Sequence, residues 1–292
     1  MKPKIKSISF VIPAYQESAA IAKVIRELRL ECSRVGYKFE ILVVDDGSSD
    51  NTAQKASLAG AKVIGHAYNR GYGASLKTGI TQASNEIIII MDADGQHKAS
   101  DIHKMINGVS SFDMVVGDRG GAGSSPWRRP GKWLLGMAAN HLTGFRIPDL
   151  NSGFRALNRA MAMRILPLMP DGFSFSTTST IAAMRGGFTV SYIPIVCTQR
   201  KGGVSTVRWT DGVNTLLLII RILTLFAPLK IFLPISLLAF GVGLAFTING
   251  YLQSGESSIR GLIALLAAAQ FFFFGILVDQ VTAMRRHECV KR

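Results

Sequence analysis

Apolar and polar stretches alternate along the first two thirds of the chain. Short apolar runs at Ser7–Ile12, Phe39–Val44, Ala61–Gly65 and Ile87–Met91 predict four strands, and polar or helix-like segments separate them. The last run, four isoleucines and a methionine, is apolar at every position, as a central strand with both faces covered requires. The pattern therefore predicts an α/β fold with a mostly parallel sheet.

Two more apolar runs follow, and between them lies a helical pattern. Met114–Gly117 and Thr189–Pro194 predict further strands, the second at the edge of the sheet. Lys132–Leu142 carries an apolar stripe at helical spacing. This stripe fits either a core helix or a helix that lies in a membrane interface.

The last third of the chain has a membrane pattern. Ile231–Ile248 and Gly261–Val278 are apolar runs close to the length that spans a bilayer, and Gln253–Arg260 joins them as a hairpin loop. Val213–Phe226 is shorter and interrupted by polar residues, so it predicts a helix in the interface. The basic tail Arg285–Arg292 is expected in the cytosol by the positive-inside rule.

Polar side chains follow the predicted strands at their carboxyl ends, where ligands of open α/β sheets bind. Asp92 and Asp94 follow the isoleucine strand, and an Asp-x-Asp pair suits a hard divalent cation, although turn-forming aspartates are the alternative. His97 is either a further ligand or an exposed loop histidine. The glycine-rich segment Asn69–Gly79 enters a helix, and it is either a structural turn or a helix start whose first amides offer a phosphate site.

Composition and net charge limit the classes of molecule that the protein is expected to bind. The 292 residues have a mean hydropathy of +0.27 and a net charge of +14, which indicates a membrane protein that meets anionic lipid or phosphorylated substrates. No nucleic-acid-binding motif accompanies the charge. Cys32, Cys197 and Cys289 are scattered and give no disulfide framework. The first apolar run is too short for a signal peptide, so the start of the chain is expected to stay in the cytosol.

Four motifs, in order, resemble those of family 2 glycosyltransferases with the GT-A fold: Val11–Glu17, Val43–Asp50, Asn69–Gly73 and Met91–His97. The resemblance implies a nucleotide-sugar donor and a Mg²⁺ or Mn²⁺ ion on its diphosphate. It implies that the ion is held by Asp92, Asp94 and Gln96, and that the donor is bound by Pro13, Tyr15, Glu17, Asp45, Asp46, Asn69, Gly71, Lys77 and Asp92.

Two later segments, Pro148–Arg155 and Thr198–Ser205, resemble acceptor-side motifs of the polyprenyl-phosphate (dolichol-phosphate) sugar synthases, a branch of this family. Ser152-Gly153-Phe154-Arg155 is closer to the mannose-synthase-like pattern than to the Gly-Asp-Phe-Arg of many relatives, which leans the donor towards GDP-mannose over UDP-glucose. The resemblance implies that the acceptor phosphate is bound by Arg119, Arg129, Ser152, Arg200, Lys201 and Ser205.

The acceptor chemistry separates the rival functions. A lipid phosphate is already an anion near neutral pH, with a second pKa of about 6, and needs little help from a base. Family members that attack through a sugar hydroxyl commonly carry Gln-x-x-Arg-Trp, whereas Ser205–Trp209 here lacks the glutamine. Two roles stay open for Asp149: a general base, or a residue that helps to position the acceptor. A glycolipid synthase acting on a hydroxyl such as that of diacylglycerol, and a non-catalytic degenerate transferase, are the alternatives.

The sequence thus predicts an integral membrane, inverting hexosyltransferase with a cytosolic catalytic side. A GT-A domain is expected at residues 1–210, an interfacial helix at 211–230, two transmembrane helices at 231–281 and a basic tail at 282–292. The expected partners are a nucleotide sugar, a polyprenyl phosphate and membrane lipids, with no nucleic acid. Assembly into a homo-oligomer is left open.

Overall fold

The computed structural model describes residues 7–120, 129–172, 174–196, 210–254 and 258–291, and the chain forms two compact units, 1–208 and 209–292. The strands are β1 (Ser7–Ala14), β2 (Lys38–Asp45), β3 (Lys62–Gly65), β4 (Ile87–Ile90), β5 (Met114–Asp118), β6 (Arg155–Asn158) and β7 (Val190–Pro194). The helices are α1 (Ile21–Val35), α2 (Thr52–Leu58), α3 (Tyr72–Gln82), α4 (Ile102–Val109), α5 (Arg129–Thr143), α6 (Arg159–Ile165), α7 (Phe175–Arg185), α8 (Thr210–Phe226), α9 (Leu229–Ser254) and α10 (Ile259–Lys291).

The first unit contains one seven-stranded sheet in the order β3-β2-β1-β4-β6-β5-β7. The pairs among β1 to β4 are parallel, as is β5 with β7, so the mostly parallel sheet and the edge position of the last strand are confirmed. Only β6 runs antiparallel to its neighbours β4 and β5 within this described sheet. Its sequence, Arg-Ala-Leu-Asn, contains no apolar run that would predict a strand.

The isoleucine strand lies near the middle of the sheet. All four residues of β4 are buried, between β1 on one side and β6 on the other. Val11 of β1 pairs with Ile90, and Ala14 pairs with Asp45 of β2, so the carboxyl ends of β1, β2 and β4 share one edge of the sheet. The polar loops after these strands therefore converge, as the sequence predicts.

The helix α5 has two apolar faces. Leu135, Ala139 and Leu142 are buried on the side that packs against α7, which makes α5 a core helix. Trp133 and Leu134 remain exposed on another side. A place in a membrane interface stays a prediction for that exposed side.

The second unit holds a hairpin of two long apolar helices. Leu229–Gln253 and Ile259–Met284 have mean hydropathies of 2.3 and 2.4 and are long enough to cross a bilayer. Ser236 Oγ donates to the Ala268 carbonyl across the pair at 2.9 Å. These two candidate spans extend beyond the predicted limits at both ends, and the interfacial placement of α8 stays a prediction.

Candidate active site

The loop after β1 is tied to the loop after β2. The Gln16 backbone N–H donates to Ser48 Oγ at 3.0 Å, and its side-chain amide donates to Ser49 Oγ at 2.7 Å. The Glu17 N–H donates to Thr52 Oγ1 at 2.9 Å. These bonds hold Gln16 at a φ of 57°, a left-handed conformation that is uncommon for a residue other than glycine. The two loops therefore form one fixed wall.

Asp46 fixes the glycine-rich loop. Its carboxylate accepts from the N–H groups of Arg70 and Gly71 at 2.9 and 2.8 Å, and His66 Nδ1 lies 2.7 Å from Oδ1. Burial acts to raise the pKa of Asp46, but these partners outweigh it and hold the pKa below its ordinary value. Gly71 has a φ of 101°, which only glycine adopts readily. Asp46 thus sets the path of the chain into α3.

The start of α3 is covered by the chain itself. The Ala74 N–H donates to the Asp171 carbonyl at 2.8 Å, and Lys77 Nζ lies 2.7 Å from Asp171 Oδ1. A Cβ on Gly73 would lie 2.2 Å from the Pro170 carbonyl oxygen, so that segment packs directly on the turn. The Ala74 amide is therefore taken by neighbouring backbone, which favours the structural turn at this position over an open phosphate site. Donor contacts by Gly71 and Lys77 themselves stay predictions.

Asp92 is held from two sides. The Tyr72 hydroxyl donates to Asp92 Oδ1 at 3.0 Å, and His97 Nε2 lies 3.7 Å from Oδ2. Burial acts to raise the pKa of Asp92, but His97 and Tyr72 lower it below its ordinary value, so the group is a carboxylate at neutral pH. Asp94 Oδ1 accepts from the Gln96 N–H at 3.0 Å, which leaves its other oxygen for a ligand.

His97 is buried, so the expectation of an exposed loop histidine is wrong. Its ring stacks on Phe154, with 5.1 Å between centroids and 22° between planes. A Cβ on Gly153 would lie 2.3 Å from Asp92 Oδ2, so this glycine also packs against the carboxylate. Residues of the acceptor-side motif therefore form the wall behind Asp92, which local sequence rules did not show.

The Asp92 loop fits a hard divalent cation that also binds a diphosphate. Asp92 and Asp94 line the same cavity, of about 320 Å³. Among the described residues, no group of three or more His, Cys, Asp or Glu side chains comes together as a metal site. Mg²⁺ commonly uses one or two carboxylates and takes its remaining oxygens from substrate phosphates and water. The two carboxylates and their setting agree with such a shared site.

The cavity collects most of the predicted donor residues. Tyr72 and Ser75 complete its wall on the α3 side. Asp45 instead lies buried at the end of β2, and its Oδ1 has no hydrogen-bond partner among the described residues. Gln96, Gly71 and Lys77 are outside the cavity lining. The predicted residues that do line it are Pro13, Tyr15, Glu17, Asp46, Asn69, Asp92 and Asp94.

Arg119 and Asp149 form a two-pronged ion pair. Arg119 Nε and Nη2 donate to the two Asp149 oxygens at 2.7 and 3.0 Å, and the Asn151 N–H donates to Oδ1 at 3.0 Å. Burial acts to raise the pKa of Asp149, but Arg119 and Asn151 outweigh it and lower the pKa. A carboxylate stabilised in this way is a weak base, so the geometry favours an organising role over proton abstraction.

This ion pair makes stability depend on pH. Because the Asp149 pKa lies below its ordinary value of 3.8, the pair stabilises the fold fully above that value and loses the effect as pH falls through the folded pKa. We expect Asp149→Asn to lower the midpoint of thermal unfolding near neutral pH, and the difference from wild type to shrink below about pH 4. A difference that grows on acidification would contradict this assignment.

The other residues predicted to bind the acceptor phosphate are either buried or outside what the structure describes. Ser152 is fully buried, its Oγ has no hydrogen-bond partner among the described residues, and it is not part of the cavity lining. Arg129 begins α5, but its side chain is outside what the structure describes. Arg200, Lys201 and Ser205 lie outside the described residues altogether. Acceptor contacts by these residues stay predictions.

Arg155 has a structural role that the sequence did not reveal. It is 1% exposed and donates to the carbonyls of Ser152 at 2.8 Å and Leu150 at 3.1 Å. Its Nη1 donates to Thr180 Oγ1 on α7 at 2.7 Å. The loop that carries Asp149 and Gly153 is therefore wrapped around one buried guanidinium. The sequence motif included this residue, but its partner on α7 is 25 positions away in sequence.

Both units of the chain match known protein families. Residues 9–166 match the family described as Glycosyl transferase family 2, and residues 227–284 match a GtrB C-terminal hairpin. An uncharacterized protein of Methanocaldococcus jannaschii, MJ1222, is 35% identical over 64% of this chain and 80% of its own length. The undecaprenyl-phosphate 4-deoxy-4-formamido-L-arabinose transferase of Klebsiella pneumoniae is 26% identical over 96% of this chain and 89% of its own length.

A solved structure supports the fold. Glucosyl-3-phosphoglycerate synthase from Mycobacterium tuberculosis, in complex with Mn²⁺, uridine diphosphate and phosphoglyceric acid, superposes with a TM-score of 0.57 at 20% identity. The likeness covers 75% of this chain and 78% of that one and confirms the GT-A fold. Since the family match spans more than half of the 292 residues and falls on the unit that carries the cavity, the chain belongs to glycosyltransferase family 2.

Proposed function

We propose that this protein transfers a sugar from a nucleotide sugar to a polyprenyl phosphate, with inversion, at the cytosolic face of a membrane. The observation that carries the proposal is the cavity in which Asp92 and Asp94, in the loop after the central strand β4, lie beside the loops after β1 and β2. The same cavity is lined by two carboxylates that suit a divalent cation and by the ring of Tyr15, which suits a nucleoside. The hairpin relatives that transfer sugar to undecaprenyl phosphate support the acceptor class.

On the donor side, the fixed wall of Tyr15, Glu17 and Asp46 offers an aromatic ring and carboxylates to the nucleoside. Asp92 and Asp94 face the same space and would hold the divalent cation, Mg²⁺ or Mn²⁺. When bound, that cation neutralises the charge that develops on the departing nucleoside diphosphate. The donor and its cation would thus share one cavity.

On the acceptor side, Arg119 supplies positive charge, and Asp149 keeps its guanidinium in place. A phosphate oxygen of the lipid attacks the anomeric carbon as the bond to the nucleoside diphosphate breaks on the opposite face, which inverts the configuration. The attacking oxygen is already anionic, so no proton needs to be removed. We therefore assign Asp149 to the orientation of Arg119, with Asp92 and Asp94 as the residues that hold the leaving group's cation.

Membrane attachment is assigned to the C-terminal hairpin, and α5 adds a lipid-facing surface. Trp133, Leu134 and Met137 are exposed apolar side chains on α5, and Phe145 and Arg146 are exposed just beyond its end. Aromatic and basic side chains together suit the headgroup region of an anionic bilayer. By the positive-inside rule, the basic tail favours a cytosolic location for the catalytic unit. Nucleotide sugars are found in the cytosol.

The donor and acceptor are tested together with purified full-length protein in detergent. UDP-glucose, GDP-mannose and the nucleotide-linked formamido-arabinose are each offered with undecaprenyl phosphate, dolichyl phosphate or diacylglycerol, and labelled lipid products are separated by thin-layer chromatography. We expect transfer to a polyprenyl phosphate from one donor. Product only with diacylglycerol would establish the glycolipid-synthase alternative, and binding of nucleotide without transfer to any acceptor would indicate a degenerate transferase.

A further inference from the structure

We propose that Tyr72 is a positioning residue that holds the Asp92 carboxylate in the orientation required to bind a divalent cation. The inference rests on the proposed function, in which Asp92 contributes to the cation site. It adds a residue that the motif pattern treats as the variable position between Gly71 and Gly73. Tyr72 is the first residue of α3 and lines the same cavity as Asp92.

The backbone at Tyr72 is fixed by contacts on both sides. Asp46 binds the N–H groups of Arg70 and Gly71 just before it, and the Asp171 carbonyl binds the Ala74 N–H just after it. Gly71 can take its φ of 101° because it has no Cβ. The start of α3 therefore presents the tyrosine ring from a rigid support rather than from a mobile loop.

The hydroxyl of Tyr72 connects this support to Asp92. It donates to Asp92 Oδ1 at 3.0 Å and also interacts with the Ser176 hydroxyl on α7. The other oxygen, Oδ2, faces His97 and is packed against Gly153. A carboxylate has about four lone-pair positions on its two oxygens, so one hydrogen bond to Oδ1 leaves room for a cation.

This arrangement predicts an effect on metal affinity rather than on folding. Asp92 lies just after β4, and His97 and Gly153 contact its Oδ2, so Tyr72 supplies the hydrogen bond that orients Oδ1. Groups that orient a metal ligand in this way typically contribute about 10- to 100-fold to metal affinity. Loss of the hydroxyl should therefore weaken cation binding while the ring continues to fill its place.

The test is a Mn²⁺ titration of full-length protein followed by electron paramagnetic resonance, performed separately with UDP and with GDP present. We expect Tyr72→Phe to raise the Mn²⁺ dissociation constant about tenfold, with an unchanged thermal midpoint and with turnover restored at high Mn²⁺. Tyr68→Phe is the matched control, because Tyr68 is an exposed tyrosine in the preceding loop. It should bind Mn²⁺ as wild type does.

Asp92→Asn separates failure of this inference from failure of the proposed function. If Asp92→Asn loses Mn²⁺ affinity while Tyr72→Phe stays within twofold of wild type, Tyr72 has no positioning role and the cation site stands. If Asp92→Asn itself binds Mn²⁺ normally, the cation site is wrong and the role of Tyr72 falls with it. The inference would also be overturned if Tyr72→Phe lost turnover and high Mn²⁺ did not restore it. The defect would then not lie in cation binding.

Discussion

Replacing Asp94 with asparagine is expected to lower kcat/KM about a thousandfold at saturating Mn²⁺. A cation on a departing diphosphate supplies several kcal/mol of charge stabilisation, and each 1.36 kcal/mol corresponds to about tenfold in rate. Asparagine keeps the size of the side chain and the oxygen that accepts from the Gln96 N–H at 3.0 Å. The turn should therefore survive, and the loss can be attributed to the missing charge.

Three measurements make this result interpretable. Sugar transfer is measured over a range of Mn²⁺ concentrations, together with the thermal midpoint of the variant. Glu27→Gln serves as the control, because it removes one negative charge from an exposed position on α1. Asp94→Asn with wild-type turnover at every Mn²⁺ concentration would show that Asp94 only forms a turn, which is the alternative that the sequence left open.

Some of the fold follows directly from the sequence. The isoleucine strand is apolar at every position, so its central place could be predicted without tertiary information. Parallel pairing of β1, β2 and β4 then brings the strand-end aspartates to one edge. In contrast, β6 could not be predicted, because its first residue is a buried arginine and its last is an asparagine that caps α6.

The features of the site that the sequence did not settle have a common physical cause. The start of α3 has the local features of a phosphate site, but the Asp171 carbonyl, almost a hundred residues later, occupies an amide there. From the sequence, His97 is expected to be an exposed loop histidine, but in the fold its ring stacks on Phe154. Tyr72 is adjacent to Asp92 only in the folded chain. Local rules describe one segment at a time, whereas each of these contacts joins segments far apart in sequence.

Replacing Arg155 with methionine is expected to lower the thermal midpoint of the catalytic unit by about 5 °C or more. Methionine fills much of the volume and removes the unfavourable burial of a charge, which works in favour of the variant. It also leaves the carbonyls of Leu150 and Ser152 without their donor, at about 1 to 3 kcal/mol each. The second effect should win, because both carbonyls belong to a loop that is closed around the guanidinium.

The same variant should raise KM for polyprenyl phosphate more than it lowers kcat, since the loosened loop carries Asp149, which holds Arg119. Arg164→Met is the matched control: Arg164 lies on neighbouring α6 and is exposed, so neither the midpoint nor KM should move. Thermal unfolding and acceptor titration at fixed donor decide the matter. Wild-type stability together with wild-type KM in Arg155→Met would show that the loop keeps its shape without the buried charge. Asp149 and Gly153 would then have to be positioned by the α7 hydroxyls and by Phe154 instead.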